Sequence, residues 1–132
     1  MESIYKNSEL IPLIRETIKE VSEIVTMTMG PNGNTVILTN KFEGPYATKD
    51  GVSVIKAIGF KDPIKDSIAK MLLEVAEETL RVAGDGTTTA ICLAGDIVLH
   101  AYTLLNDGAS PSKLLEELDA LQKYTIDHLN SM

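Results

Sequence analysis

Tryptophan is absent from these 132 residues, and aromatic residues make up only 5% of them. Recognition built on stacked rings, as in single-strand nucleic-acid binding, therefore has little material. Cysteine occurs once, at Cys92, which excludes an intrachain disulfide. The apolar helical run around it predicts a buried, inert thiol. Basic residues are also short: 12 Lys and Arg against 19 Asp and Glu leave a net charge of −7, with pI ≈ 4.7. That balance argues against nucleic acid and against an anionic membrane surface as partners. No basic-plus-apolar leader opens the chain, and no apolar run reads as approaching membrane-spanning length, so a cytoplasmic location is expected. Internal repeats, low-complexity segments and flexible linkers are missing too.

What is present is a globular composition, 44% hydrophobic and 23% charged, of a length that suits one domain. Ile11, Ile14, Ile18, Val21 and Val25 recur at helical steps, which predicts an amphipathic helix over about 9–28. Asn7 or Ser8 is placed to cap it, and Pro12 favours a regular helix beginning nearer that proline. Gly30-Pro31-Asn32-Gly33 stops the helix, and the β-branched run from Thr35 to Thr39 reads as a strand. A second short strand at Tyr46-Ala47-Thr48 can pair with it as a hairpin. A short apolar element then runs to about Ile58. Asp62-Pro63 is a helix start, with Asp as N-cap and Pro at the first helical position. Ile64, Ile68, Met71, Leu72, Val75, Thr79 and Val82 follow as its apolar face, and the opposite charged face, with pairs such as Asp66 and Lys70, is read as solvated. The next helix runs to about Asp107 and is apolar almost all round, which predicts burial on most sides. Its exceptions, Asp96, His100 and Thr103, share a stripe read as a solvent-facing or hydrogen-bonded seam. Ser110-Pro111 opens the last helix, where Leu114, Leu118, Leu121 and Leu129 are expected to form the buried face. The fold class expected is mainly α, with four long helices and a small β-hairpin.

Chemistry concentrates in Gly84-Asp85-Gly86-Thr87-Thr88-Thr89-Ala90. Glycines let a backbone approach a ligand closely. Hydroxyls and free N–H groups in the first turn of a helix favour anions. A carboxylate there would repel bare phosphate, but suits a bridging Mg²⁺, which takes one or two carboxylates plus phosphate oxygens. The plainer alternative is that Asp85 caps a helix. Thr28-Met29-Gly30-Pro31 and Thr48-Lys49-Asp50-Gly51 are two further glycine turns at element boundaries. If the three converge, they offer two carboxylates, hydroxyls and backbone donors to a phosphate chain with Mg²⁺. The chain holds neither a Walker A motif nor a dinucleotide-binding glycine fingerprint.

These segments, in this order, resemble the amino-terminal equatorial portion of a GroEL-type (group I) chaperonin. That family carries Thr-Leu-Gly-Pro-Lys-Gly-Arg-Asn-Val, Thr-Lys-Asp-Gly-Val-Ser-Val and Gly-Asp-Gly-Thr-Thr-Thr-Ala loops. The chain reads Thr28-Met29-Gly30-Pro31-Asn32-Gly33-Asn34-Thr35-Val36 at the first, and matches the other two in full at Thr48–Val54 and Gly84–Ala90. The resemblance implies a partial equatorial-type domain over residues 1–132, with apical and intermediate domains absent. It implies that Thr28, Met29, Gly30, Pro31, Lys49, Gly86, Thr87, Thr88 and Thr89 bind nucleotide phosphates, and that Asp85 is the Mg²⁺ ligand. Asp50 would help position the attacking water. Backbone oxygens of Thr28 and Lys49, with Thr88, would lie near a monovalent-cation site of the potassium type. ATP or ADP, Mg²⁺ and K⁺ are the implied cofactors. Chaperonin subunits, of this kind or full-length homologues, are the implied partners, with unfolded polypeptide reached only through the absent domains.

The chain departs from the family in the first loop, where Asn32 and Asn34 replace a Lys and an Arg and remove two positive charges. The implied activity is the ATP-binding portion of an ATP-dependent folding machine, without the second catalytic carboxylate and without steady ATP hydrolysis by this chain alone. Two rivals stand beside it: a protein that docks on an intact chaperonin ring and alters it, and a structural helical module whose nucleotide loops are unused.

Overall fold

The computed structural model describes residues 7–30, 33–40 and 44–132. Along the chain run α1 (Asn7–Thr26), β1 (Val36–Asn40), β2 (Gly44–Thr48), α2 (Gly51–Ala57), α3 (Pro63–Ala83), α4 (Thr87–Asn106) and α5 (Pro111–Ser131). The mainly helical class with one hairpin is as the sequence indicates. The chain divides into two compact units, Met1–Ile97 and Val98–Met132, with the boundary inside α4.

In the first unit, α1 packs on α3, and the short α2 touches α1, α3 and β1. Ile18, Val21 and Val25 form the buried stripe of α1, joined by Thr17, whose hydroxyl donates to the Leu13 carbonyl at 2.7 Å. That bond lets a polar side chain sit fully buried without cost. Val52, Val54 and Ile55 of α2, Ile68, Ala69, Leu72 and Ala76 of α3, and Ile91 of α4 complete the core. Each large side chain removed from water contributes about 1.5–3 kcal/mol. Asp62 caps α3 as expected, accepting from the N–H groups of Ile64 at 2.8 Å and Lys65 at 3.2 Å. The hairpin also forms, antiparallel, with Val36 opposite Thr48 and Leu38 opposite Tyr46. Lys65 reaches from α3 to Glu16 of α1 at 3.0 Å, and Lys56 of α2 meets Glu77 of α3 at 2.9 Å. The Asp66–Lys70 pair forms at 2.7 Å. Each pair has a partner that is half or more exposed, so each contributes little.

Several expectations are corrected. The helix of α1 passes through Pro12, and the side chains of the cap candidates Asn7 and Ser8 fall outside the described residues. Pro12 is exposed, so its ring disturbs solvent-facing backbone and not the core. On α3 the buried stripe runs through Ala69 and Ala76, while Met71 and Val82 are 66% and 70% exposed. Only Thr87, Ile91 and Gly95 of α4 are buried, and Leu93, Ile97 and Leu104 face outward. The polar seam of α4 is as expected: Asp96, His100 and Thr103 are all exposed, and the Thr103 hydroxyl donates to the Leu99 carbonyl at 3.1 Å. Length is corrected as well: α4 has 20 residues and an 18-residue window of mean hydropathy 1.4, enough to cross a membrane by length and composition alone.

The second unit holds the end of α4 and all of α5. No residue of α5 is buried: Leu114 and Leu118 are partly covered, and Leu121 and Leu129 are exposed. Periodicity reports that a helix has an apolar face; it does not report what covers that face.

Candidate functional site

The first of the three loops is closed by main-chain bonds. Thr28 N–H donates to Val25 O at 3.0 Å, Met29 N–H to Thr26 O at 3.0 Å, Gly33 N–H to Gly30 O at 3.0 Å and Asn34 N–H to Met27 O at 2.7 Å. Thr28 is buried, and its hydroxyl donates to the Val25 carbonyl at 2.7 Å. Gly33 lies so close to the Thr28 carbonyl that a Cβ there would overlap it. Pro31 and Asn32 fall outside the described residues. Met29 and Gly30 are exposed at the tip, and Gly30 has φ 77°.

The second loop is organised by hydroxyls around Asp50. Thr48 Oγ1 accepts from the Asp50 N–H at 3.0 Å. The Asp50 carboxylate then caps α2. It accepts from Val52 N–H at 3.4 Å, Ser53 N–H at 2.8 Å and the Ser53 hydroxyl at 2.6 Å. Partial burial pushes this carboxyl up. The Ser53 hydroxyl, the Ser53 and Val52 N–H groups and nearby Lys56 together outweigh that, and hold it below the usual aspartate range. Lys49 is exposed.

In the third loop α3 ends on Gly84, in the left-handed conformation, its N–H bonded to Leu80 O at 2.9 Å. Gly86 follows with φ 81°, a region that disfavours any side chain. Its carbonyl accepts the first helical bond of α4, from Ala90 N–H at 2.9 Å. The alternative that Asp85 caps the helix is therefore not what is seen. Asp85 accepts from the N–H of its neighbour Gly86 at 2.6 Å and is exposed just before the helix. The capping role falls on the other aspartate, Asp50. Thr87 is buried, Thr88 half-buried and Thr89 exposed, so the three hydroxyl residues fan around the start of α4.

Two junctions bring the loops together. Gly51, the first residue of α2, meets Thr88: a Cβ at position 51 would overlap Thr88 Oγ1 and press on Val25 Cγ1 at 3.3 Å. Cys92, one turn further along α4, lies 3.2 Å from Thr26 Oγ1 and 3.6 Å from Met29 Sδ. The thiol is thus half-buried against the first loop, and not enclosed as its apolar neighbours in sequence imply. Gly95 completes the seam between α4 and α1, close to Ser22 and Ile18. Among the described residues, no hydrogen bond or ion pair ties Lys49, Asp85 or Thr89 to another of the three loops. Sequence reading placed Thr48 and Ser53 in the second loop and gave neither a role of its own. The Asp-x-x-Ser spacing of a helix cap is the signal that points to Ser53.

Electrostatically, the site sets the positive end of α4 beside the loops that carry Asp50 and Asp85. Among the described residues, no cluster of three or more Asp, Glu, His or Cys side chains gathers around either one. A carboxylate so exposed, with one bond to its own loop, suits a cation that completes its shell with phosphate and water, as Mg²⁺ does.

Residues 21–132 match the TCP-1/cpn60 chaperonin family. The chain is 38% identical over 112 residues to the chloroplastic RuBisCO large subunit-binding protein subunit alpha of Chlamydomonas reinhardtii, covering 85% of this chain and 19% of that protein. Its fold is similar to the crystal structure of chaperonin gp146 from bacteriophage EL 2 (Pseudomonas aeruginosa), obtained in the presence of ATP-BeFx. The TM-score there is 0.77 at 32% identity, over 94% of this chain and 22% of that one. A group III chaperonin in the open state gives a TM-score of 0.74 at 27% identity, over 89% of this chain and 23% of that one. The chain spans about a fifth of the length of these relatives.

Proposed function

This chain belongs to the TCP-1/cpn60 chaperonin family, and we propose that its three loops are the phosphate-and-metal side of a nucleotide site. The observation that carries the reading is the Gly51–Thr88 junction, which seats the loop bearing Asp50 on the start of α4. Thr87, Thr88 and Thr89 would take phosphate oxygens with hydroxyl and N–H groups, where the helix dipole favours anions. Gly86, Lys49, Met29, Gly30 and Pro31 would add backbone contacts. Asp85 would hold Mg²⁺, which when bound screens phosphate charge and polarises the phosphoryl group. Asp50 would accept a hydrogen bond from a water and orient it. The carbonyls of Thr28 and Lys49, with Thr88, would hold K⁺.

In this reading the chain is a chaperonin-like protein that supplies the ATP-binding portion of a machine for ATP-dependent protein folding. Other chaperonin subunits are its proposed partners. Calorimetric titration with ATP, Mg²⁺ and K⁺, with the native mass measured alongside, tests it. Saturable, Mg²⁺-dependent binding supports the reading, and heat indistinguishable from dilution overturns it. The outward-facing Met71, Leu93 and Ile97 favour a second reading, in which the chain docks on a chaperonin subunit and alters it. Co-sedimentation with an intact chaperonin ring, in the absence of nucleotide binding, is its signature.

A further inference from the structure

The chain contains three Asp-Gly pairs, Asp50-Gly51, Asp85-Gly86 and Asp107-Gly108. Such a pair carries a reaction of its own, because a glycine has no Cβ to shield its amide nitrogen from the preceding carboxyl group. That nitrogen can bond to the aspartate Cγ and close a five-membered ring. The fold treats the three pairs differently. The Asp50 carboxylate is turned forward onto α2, where it accepts from Val52 N–H at 3.4 Å and from the N–H and hydroxyl of Ser53 at 2.8 and 2.6 Å. Gly51 is buried against Thr88 and Val25, where even a Cβ has no room. Gly108 has open space beside it, but its N–H is committed to the Leu105 carbonyl at 3.1 Å. At Asp85-Gly86 neither restraint is present. The Asp85 carboxylate lies against the Gly86 nitrogen itself, with Oδ1 at 2.6 Å, and among the described residues no main-chain carbonyl takes that N–H. Both residues are exposed, and the space beside Gly86 is open.

We propose that Asp85-Gly86 is a self-modification site, at which the folded chain forms isoaspartate in preference to its other two Asp-Gly pairs. Water is the only reagent. The Gly86 nitrogen bonds to Asp85 Cγ, and its proton leaves with the carboxyl OH as water, so that a succinimide remains. A water molecule then adds back. Cleavage between the nitrogen and Cγ restores aspartate. Cleavage between the nitrogen and the main-chain carbonyl carbon gives isoaspartate, with no change in mass. The chain then runs through Cβ and Cγ, and the free carboxylate sits directly on Cα. A methylene is thereby inserted between the left-handed Gly84 and the first helical bond of α4, from Ala90 N–H to Gly86 O. The carboxylate offered to Mg²⁺ is also drawn back by a methylene. That last consequence rests on the nucleotide reading of Asp85; the reaction itself does not.

The full chain, incubated warm at neutral pH and mapped by peptide chromatography with electron-transfer fragmentation, tests this. The map separates the three pairs from Asn32-Gly33, whose deamidation gives the same linkage. The expected result is isoaspartate at position 85 accumulating at least several-fold faster than at 50 or 107. In guanidinium, where only the shared Asp-Gly sequence remains, the three rates should converge. Asp85→Glu keeps a carboxylate but needs a larger ring, and is expected to remove the product at 85 while leaving the other two sites unchanged. Equal rates at the three pairs in the folded chain, or a preference for 85 that persists undiminished in guanidinium, overturn the proposal. Excess Mg²⁺–ATP is the separate arm. A preference for position 85 that nucleotide leaves untouched defeats the reading of Asp85 as the Mg²⁺ ligand and leaves the modification site standing. Equal folded rates, of which Mg²⁺–ATP slows only that at 85, support the nucleotide reading and defeat the modification site.

Discussion

Gly51 and Thr88 share one space: a methyl group on the first would overlap the hydroxyl of the second and lie 3.2 Å from its Cβ. The two residues are far apart in sequence and open different helices, α2 and α4. Their contact turns two separate loops into one surface. The same Gly51 position also abuts Val25 of α1, so the first loop is anchored to the junction through the core.

Gly51→Ala is expected to destabilise the fold by about 1–3 kcal/mol, the usual cost of forcing an extra group into a packed site. Its φ is not in the left-handed region, so the backbone accepts alanine and the effect is steric. Removing the opposing hydroxyl and methyl in Gly51→Ala/Thr88→Ala should recover part of the loss. Denaturant midpoints of the two single variants and the double variant give the coupling. Strict additivity would mean that the two side chains do not compete for the same volume.

Asp50→Ala is expected to cost about 1 kcal/mol by removing the α2 cap, within the range of such substitutions. The pH dependence follows from the lowered carboxyl. A group ionised more readily when folded adds stability above its unfolded value, near 3.8, and loses it as pH falls through the lower folded value. The native chain should therefore lose stability faster than Asp50→Ala below about pH 4. Because Asp50 is largely exposed, the difference is small. Parallel acid curves for the two proteins would contradict this.

Asp85→Ala is expected to separate metal from fold. Its one bond is to the adjacent Gly86 N–H and its side chain is exposed, so the unfolding midpoint should shift by less than about 0.5 kcal/mol. If Asp85 holds Mg²⁺, the same variant loses the Mg²⁺ dependence of ATP binding. Titration with and without Mg²⁺ reads this directly. Binding that stays Mg²⁺-dependent would place the metal elsewhere.

Two Asp-Gly pairs, Asp50-Gly51 and Asp85-Gly86, look alike in sequence and behave oppositely. Asp50 is followed at three residues by a serine and becomes a cap. Asp85 is followed by a glycine with φ 81°, which takes the turn itself and leaves the carboxylate outside the helix. The cap of α3 was readable because Asp62-Pro63 combines two independent start signals. The helix α2 was not, because Val52, Val54 and Ile55 in a short run fit either period. Motif order pointed to the three loops, but their junction depends on the absent side chain at Gly51, which no periodicity reports. The covering of α5 was also beyond reach, since apolar spacing at Leu121 and Leu129 is the same whether a partner is present or not.

The last expectation concerns association. Met71 and Val82 on α3 are 66% and 70% exposed, and Leu93 and Ile97 on α4 are 58% and 50% exposed. On α5, Leu115, Leu121 and Leu129 are exposed too. Monomers seldom leave contiguous apolar patches of more than a few hundred Å² in water. The relatives carry about four times as much additional chain that can serve as cover. The chain by itself is expected to self-associate or to take up a partner. Its charge of −7 opposes this at low salt through mutual repulsion, and salt shortens that repulsion to about 8 Å at physiological strength. Sedimentation should therefore show larger species as concentration and ionic strength rise together. Leu93→Lys with Ile97→Lys should reverse the trend, since charge on that stripe repels a second apolar face. If the native chain stays monomeric at every concentration and salt, and binds no apolar-surface dye, these outward side chains do not form a sticky surface. Where association does occur, its salt dependence identifies the source: contacts between opposite charges weaken as salt rises, and apolar contacts between like-charged molecules strengthen.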